Sequence, residues 1–256
     1  IIDIQAALTA RLHEISRLAW QVMEFSLPAG ISGFFRHSFR VLLLGVLACI
    51  GPGFLRGQDE AQLALVKQAT VYLETPESSG TAFCISKKGY FLTCAHVLEG
   101  VEQGGEVSMS LRPGLPEEKT VKASVLRMEH GLDLALLQGP AEAVPALPLG
   151  NSRALRETDP IVVAGFPLGR FLSIGESAPA VTVNSGKVTS LRRAGELLES
   201  VQVDAELIPG NSGGPVLDRN GKVVGVAVAT IFGTELNFAI ASDQVELLLR
   251  SPRFEH

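Results

Sequence analysis

From about residue 60 to 250 the chain sets short apolar runs between clusters of Gly, Pro, Asn and Ser. The runs are Thr70–Leu73, Gly80–Ile85, Tyr90–Thr93, Val121–Arg127, Leu134–Leu137, Ile161–Ala164, Lys187–Leu191, Val201–Val203, Gly214–Leu217, Val223–Val228 and Asn237–Ile240. About a dozen such runs at short intervals, rich in β-branched residues and bounded by turn formers, predict an all-β sandwich or barrel. Lys88-Gly89 and Asn220-Gly221 sit between apolar runs as hairpin turns. The Pro-rich stretch Gly139–Pro148 (GPAEAVPALP) divides the strands into two sets of similar size. The economical reading is two β-barrels, about 60–145 and about 150–240, joined by that linker. Ser242–Arg250 (SDQVELLLR) reads as a closing helix over 242–250, with Ser242 or Asp243 as N-cap and Arg250 near its C-terminal end.

Residues 1–58 have another texture. Ile4, Leu8, Leu12, Ile15, Ala19 and Val22 recur at close to helical spacing, while Arg11, His13, Glu14 and Arg17 take other faces. That pattern fits a docked amphipathic helix, or an unstructured extension. Pro28, Gly30 and Gly33 end any helix. Arg36, His37 and Arg40 then precede the apolar run Val41–Ile50 (VLLLGVLACI), which is followed by Gly51-Pro52-Gly53. A basic flank, a short apolar run and small residues make the pattern of an export signal. The run is short for a membrane span, which needs about 20 apolar residues. Val46-Leu47-Ala48 suits signal-peptidase cleavage, and Leu47-Ala48-Cys49 has the form of a lipobox, which would make Cys49 a lipid anchor. The segment 41–55 is therefore expected to be a signal or membrane tether, with burial in the fold as the alternative. Met23 stands at a fitting distance upstream to be the biological start.

Composition narrows the function classes. The 256 residues are 46% hydrophobic and carry a formal net charge of −5, which fits neither a disordered chain nor a nucleic-acid binder. Three cysteines are too few to build a disulfide scaffold. His13, His37, His96, His130 and His256 show no ligand spacing, so no metal is expected. No Gly-rich phosphate loop follows the strand–helix pattern, and no cofactor is implied.

Three short motifs carry the chemistry. Thr93-Cys94-Ala95-His96-Val97 follows directly on an apolar strand, and Leu132-Asp133-Leu134-Ala135-Leu136-Leu137 opens one with an acid. Pro209-Gly210-Asn211-Ser212-Gly213-Gly214-Pro215-Val216 places a hydroxyl among glycines, whose backbones reach conformations closed to other residues. A serine hydroxyl attacks at neutral pH only when a neighbouring base takes its proton. His96 suits that base, and Asp133 suits the group that fixes its tautomer. Gly210–Gly214 also matches the Gly-x-Ser-x-Gly elbow of α/β-hydrolases, but strand-like runs follow it and the one later histidine is His256. The esterase reading fails on order and context.

In the order His96, Asp133, Ser212, these motifs resemble the trypsin-like, chymotrypsin-fold serine proteases, and more closely their HtrA/Deg branch. Gly80-Thr81-Ala82-Phe83 through His96-Val97 follows that branch's layout, as do Val162–Gly169, Ser185–Val188, Asp204 to Pro215 and Phe238–Ile240. The resemblance covers about residues 65–250. It implies two six-stranded antiparallel β-barrels, a serine endopeptidase acting on protein or peptide substrates, and export to an extracytoplasmic compartment, with a role in protein quality control. It also implies an oxyanion hole at Gly210, Asn211 and Ser212, built on the N–H groups of Gly210 and Ser212. Homo-oligomers occur in the family; a latent or non-catalytic peptide-binding module on the same fold is the competing class.

The same resemblance walls the primary pocket with Val228, Ala229 and Thr230 and puts Asn237 near its base. Glu206, six residues before Ser212, stands where a pocket-floor residue would sit. Two readings stand: a preference for Lys or Arg through charge pairing, or a solvated Glu206 beside Asp204 with the small aliphatic preference usual for HtrA-like pockets. Asn211 replaces the Asp of digestive relatives, so activation through a salt bridge to a new N-terminus is not expected. Cys84 and Cys94 flank one hairpin, and their bonding is left open. With the last helix closing near His256, no PDZ domain is expected to follow.

Overall fold

The computed structural model describes residues 60–141, 143–228 and 236–250. The amphipathic stretch 1–22, the signal-like segment 41–55 with Cys49, and Ala229 and Thr230 lie outside the described residues. Among the described residues no helix is long and apolar enough to cross a membrane.

A helix over residues 60–69, α1, opens the described chain. It buries Val66 and Ala69, and the Thr70 hydroxyl donates to the Val66 carbonyl at 2.8 Å where the helix gives way to strand. Six strands follow: β1 (Thr70–Glu74), β2 (Ser79–Ser86), β3 (Tyr90–Thr93), β4 (Glu106–Leu111), β5 (Lys119–Glu129) and β6 (Leu134–Gln138). They close antiparallel into a barrel in the order β1-β2-β3-β6-β5-β4. The second set is β7 (Pro160–Gly165), β8 (Thr182–Ala194), β9 (Leu197–Val203), β10 (Pro215–Asp218), β11 (Val223–Val228) and β12 (Asn237–Ala241). These close in the order β10-β11-β12-β9-β8-β7. The helix α2 (Ser242–Arg250) ends the described chain. The fold is thus all-β with two six-stranded antiparallel barrels, as expected.

The Pro-rich linker, which joins β6 to β7, is held against the β2–β3 hairpin. Gly139 N–H donates to the Gly89 carbonyl at 2.9 Å and Leu147 N–H to the Cys84 carbonyl at 2.8 Å. Its far end is clamped by α2. The Asp243 carboxylate accepts from the Ser152 hydroxyl (2.8 Å) and Arg153 Nε (2.7 Å), and Ser152 N–H donates to the Ser242 hydroxyl at 3.0 Å. Burial alone would raise the Asp243 carboxyl, but its bonds from Arg153, Ser152 and the Leu198 N–H together hold it below the ordinary carboxylate range. From barrel one, Arg127 Nη1 reaches the Leu248 carbonyl at 2.8 Å.

Candidate active site

Strand register brings His96 and Asp133 together. β3 pairs with β6 through Tyr90↔Gln138, Phe91↔Leu137, Leu92↔Leu136 and Thr93↔Ala135. Beyond that last pair the two chains leave the same end of the ladder, one toward His96 and the other arriving from Asp133. His96 opens a 3-10 turn, His96–Leu98, anchored by the buried Val97 and Leu98. Asp133 closes a turn from His130 with φ +52°, a left-handed conformation that Asp tolerates better than most side chains. Its carbonyl accepts from Ala95 N–H at 3.2 Å and its Oδ1 from His96 N–H at 3.0 Å. Its Oδ2 lies 2.7 Å from His96 Nδ1. With the Nδ1 proton given to this carboxylate, Nε2 is left as the acceptor. The His96 side chain is 47% exposed, so an outside group can reach it.

Ser212 sits in the loop between β9 and β10, which is shaped by its own backbone. Asn211 N–H donates to the Ile208 carbonyl (3.0 Å), Gly213 N–H to Ala227 (2.8 Å) and Gly214 N–H to Asn211 (3.0 Å). Two of its glycines are required outright. Gly210 has φ +100°, and a Cβ there would lie 2.1 Å from the Phe166 carbonyl. Gly213 has φ +84°, and a Cβ there would lie 2.1 Å from the Thr81 carbonyl. The loop belongs to barrel two yet rests on barrel one, because Thr81 N–H donates to the Ser212 carbonyl at 2.9 Å. A side chain at Gly80 would meet both Val97, the neighbour of His96, and the Ser212 carbonyl. β2 therefore bridges the ground between the histidine turn and the serine loop.

Of the three residues expected at the oxyanion hole, Asn211 has its N–H engaged within the loop, donating to the Ile208 carbonyl. Asn211 is itself buried beneath Gly165, where its Oδ1 would lie 2.7 Å from an added Cβ. On the pocket side, Val228 is half-buried and Glu206 is exposed. Asn237 Oδ1 accepts from Leu207 N–H at 3.3 Å, and Asn184 Nδ2 donates to the Glu206 carbonyl at 3.1 Å. The structure thus gathers Glu206, Leu207 and Asn237 and adds Asn184, which the sequence motifs did not single out. Beside His96 opens a cleft of about 610 Å³ lined by His96, Leu98, Glu99, Glu102, Met128 and His130 among others.

The two described cysteines are free thiols. Cys84 faces Phe91 across the hairpin, three residues before Cys94, so the register separates them. Cys94 is fully buried, with its Sγ, the His96 ring and the Asp133 carboxylate mutually within 4.8 Å. Burial, aided by the Asp133 charge, pushes the Cys94 thiol well up. It donates to the Ala227 carbonyl at 3.4 Å, while Asp133 and His96 are bonded to each other. Hydrogen bonds account for this trio.

Residues 80–226, which contain all three motifs, match the trypsin-like peptidase domain family. Mouse serine protease HTRA4 is 32% identical over 177 residues, spanning 69% of this chain and 35% of that protein. A probable periplasmic serine endoprotease DegP-like from Chlamydia trachomatis is 34% identical over 167 residues, spanning 64% of this chain and 31% of that protein. The chain therefore spans about a third of the length of these curated relatives. Among solved structures, an HtrA-type protease, AlgW with tripeptide, superposes with a TM-score of 0.61 at 26% identity, covering 73% of this chain and 61% of that one. With its two closed barrels and its three motifs in order, the chain belongs to the trypsin-like peptidase domain family, in the company of the HtrA and DegP proteases.

Proposed function

We propose that this domain is a serine endopeptidase that cleaves protein substrates through a His96–Asp133–Ser212 triad and an acyl-enzyme. The observation that carries the reading is the bonded His96–Asp133 pair at the end of the β3–β6 ladder, beside the glycine-bound Ser212 loop tied to β2. His96 Nε2 takes the Ser212 proton as Oγ attacks the substrate carbonyl. Asp133 holds the ring's tautomer and stabilises the imidazolium. The tetrahedral oxyanion is met by the N–H groups of Gly210 and Ser212. Collapse breaks the C–N bond, His96 protonates the departing amine, and an ester on Ser212 remains. Water, deprotonated by His96, then releases the acid and restores the hydroxyl. Glu206, Val228 and Asn237 border the pocket for the residue before the cleaved bond.

The export-like run at 41–55 and the periplasmic naming of the DegP-like relatives support an extracytoplasmic setting, with quality control of damaged proteins as the task. The test is fluorophosphonate labelling and casein cleavage by the full chain. Wild type labels and cleaves, whereas Ser212→Ala does neither while keeping its circular dichroism. Cleavage that survives in Ser212→Ala, or a well-folded wild type that never labels, overturns the reading.

A further inference from the structure

Around the serine loop, one side chain from the opposite barrel has both of its hydrogen-bonding roles occupied. Thr81, on β2, is fully buried. Its hydroxyl donates to the Gly210 carbonyl at 2.7 Å and accepts from Phe166 N–H at 3.2 Å. Its own N–H holds the Ser212 carbonyl at 2.9 Å, and its carbonyl accepts from the Thr93 hydroxyl at 2.7 Å. The partners lie 129 and 85 residues away along the chain, so these are not incidental turn contacts.

Peptide planarity shows what this fixes. The C=O and N–H of a trans peptide point opposite ways, so holding one aims the other. In the Pro209–Gly210 peptide, the Pro209 carbonyl accepts from Leu168 N–H at 2.7 Å, which turns Gly210 N–H away from that partner. In the Asn211–Ser212 peptide, the Asn211 carbonyl accepts from Gly214 N–H, which aims Ser212 N–H in the same manner. Between these two lies the Gly210–Asn211 peptide, whose carbonyl is held by the Thr81 hydroxyl and whose N–H is held by Ile208. Gly210, with φ +100° and no side chain, has little resistance of its own to rotation of this peptide.

Resting on the peptidase reading above, we infer that Thr81 is a positioning residue: its buried hydroxyl, carried by barrel one, fixes the Gly210–Asn211 peptide that separates the two oxyanion donors of barrel two. It touches neither substrate nor the reacting atoms and acts through the loop. The role belongs to the hydroxyl and not to the volume of the side chain, because Val has the same shape and cannot donate. Thr81→Val leaves the Gly210 carbonyl and the Phe166 N–H without their partner, and the loop is free to turn.

The experiment is a series at this one position in the full chain: Thr, Ser, Cys and Val. Turnover of a chromogenic peptide, fluorophosphonate labelling and affinity for a peptide boronic acid are read for each. Removing one oxyanion donor costs about 100- to 1,000-fold, and misaiming is milder, so Thr81→Val loses roughly 10- to 100-fold in kcat with KM within about twofold. Boronic acid affinity falls with kcat, since the boronate mimics the tetrahedral state. Thr81→Ser stays within about threefold of wild type and Thr81→Cys, a weak donor, falls between. Rates that follow side-chain volume, with Ser more damaged than Val, overturn the inference, as does a kcat for Thr81→Val equal to wild type. Wild type that fails to label overturns instead the peptidase reading beneath it.

Discussion

The two barrels share a topology but not a way of making a site. Barrel one is packed with large side chains, Phe83, Phe91, Leu92, Met109, Leu136 and Leu137 among them, and β3 and β6 are buried over most of their length. Its contribution, the His96–Asp133 pair, is fixed by its own ladder. Barrel two buries mainly Val and Ala, such as Val163, Val201, Val216, Ala227 and Ala239, and among the described residues this cluster holds no aromatic ring. Its long strand β8 runs for 13 residues with only Val188 buried. Its contribution is a loop whose shape depends on groups from the other barrel. Local pairing secures the His96–Asp133 pair, whereas the Ser212 loop is clamped by groups from far along the sequence.

Breaking barrel one's contribution alone gives the largest effect. Asp133→Asn keeps a residue that accepts φ +52°, so the turn survives, but the amide presents the wrong partner to Nδ1. Peptide turnover is expected to fall by roughly 10,000-fold, with unchanged circular dichroism. A drop below tenfold would remove Asp133 from its role. Breaking barrel two's loop is next. Gly213→Ala forces a Cβ toward the Thr81 carbonyl at φ +84°, and fluorophosphonate labelling is expected to slow by about 100-fold or more. Labelling at the wild-type rate would mean that the loop adapts freely.

The smallest effect on turnover comes from the clamp away from the site. Asp243→Asn loses a buried charged acceptor and is expected to cost about 2 kcal/mol of stability at pH 7 with near-normal turnover. Because the folded carboxyl is held below its ordinary value, this stabilisation is full above the unfolded pKa, about 3.9, and fades as pH falls through the folded value. Urea unfolding of both proteins should show their difference shrinking below about pH 4. A difference that stays constant down to pH 3 would assign the cost to packing.

Much of this was legible from the chain. Tyr90–Thr93, Val223–Val228 and the helix Ser242–Arg250 form as the pattern predicts, because runs that are both apolar and bracketed by turn formers leave little choice. β4 was not legible. EVSMSL alternates Val107, Met109 and Leu111 toward the core with Ser and Glu, and its low apolar content conceals the period. The α1 helix over 60–69 escaped because its apolar positions include exposed Leu63 and Leu65. β8 extends well past Lys187–Leu191 because its first residues are only half-buried and mostly polar and its last are exposed. At the site, His96, Asp133 and Ser212 stand in motifs, and the ladder that unites the first two follows from strand order. Thr81 stands in the Gly80–Phe83 motif and Asn184 in none, but neither role was marked: their partners lie 129 and 22 residues away, and nothing local marks a hydroxyl or amide for a distant carbonyl.

That Thr81–Gly210 span of 129 residues also orders events in time. Chains emerge from the ribosome N-terminus first, and domains fold as their segments become available. Thr81 is made long before Gly210, so this clamp cannot form until β7, β8 and β9 have been synthesised. Ser212 follows two residues later, and its carbonyl then meets the Thr81 N–H of the first barrel. On the peptidase reading proposed above, competence to attack therefore rests on contacts that only a nearly complete chain can make.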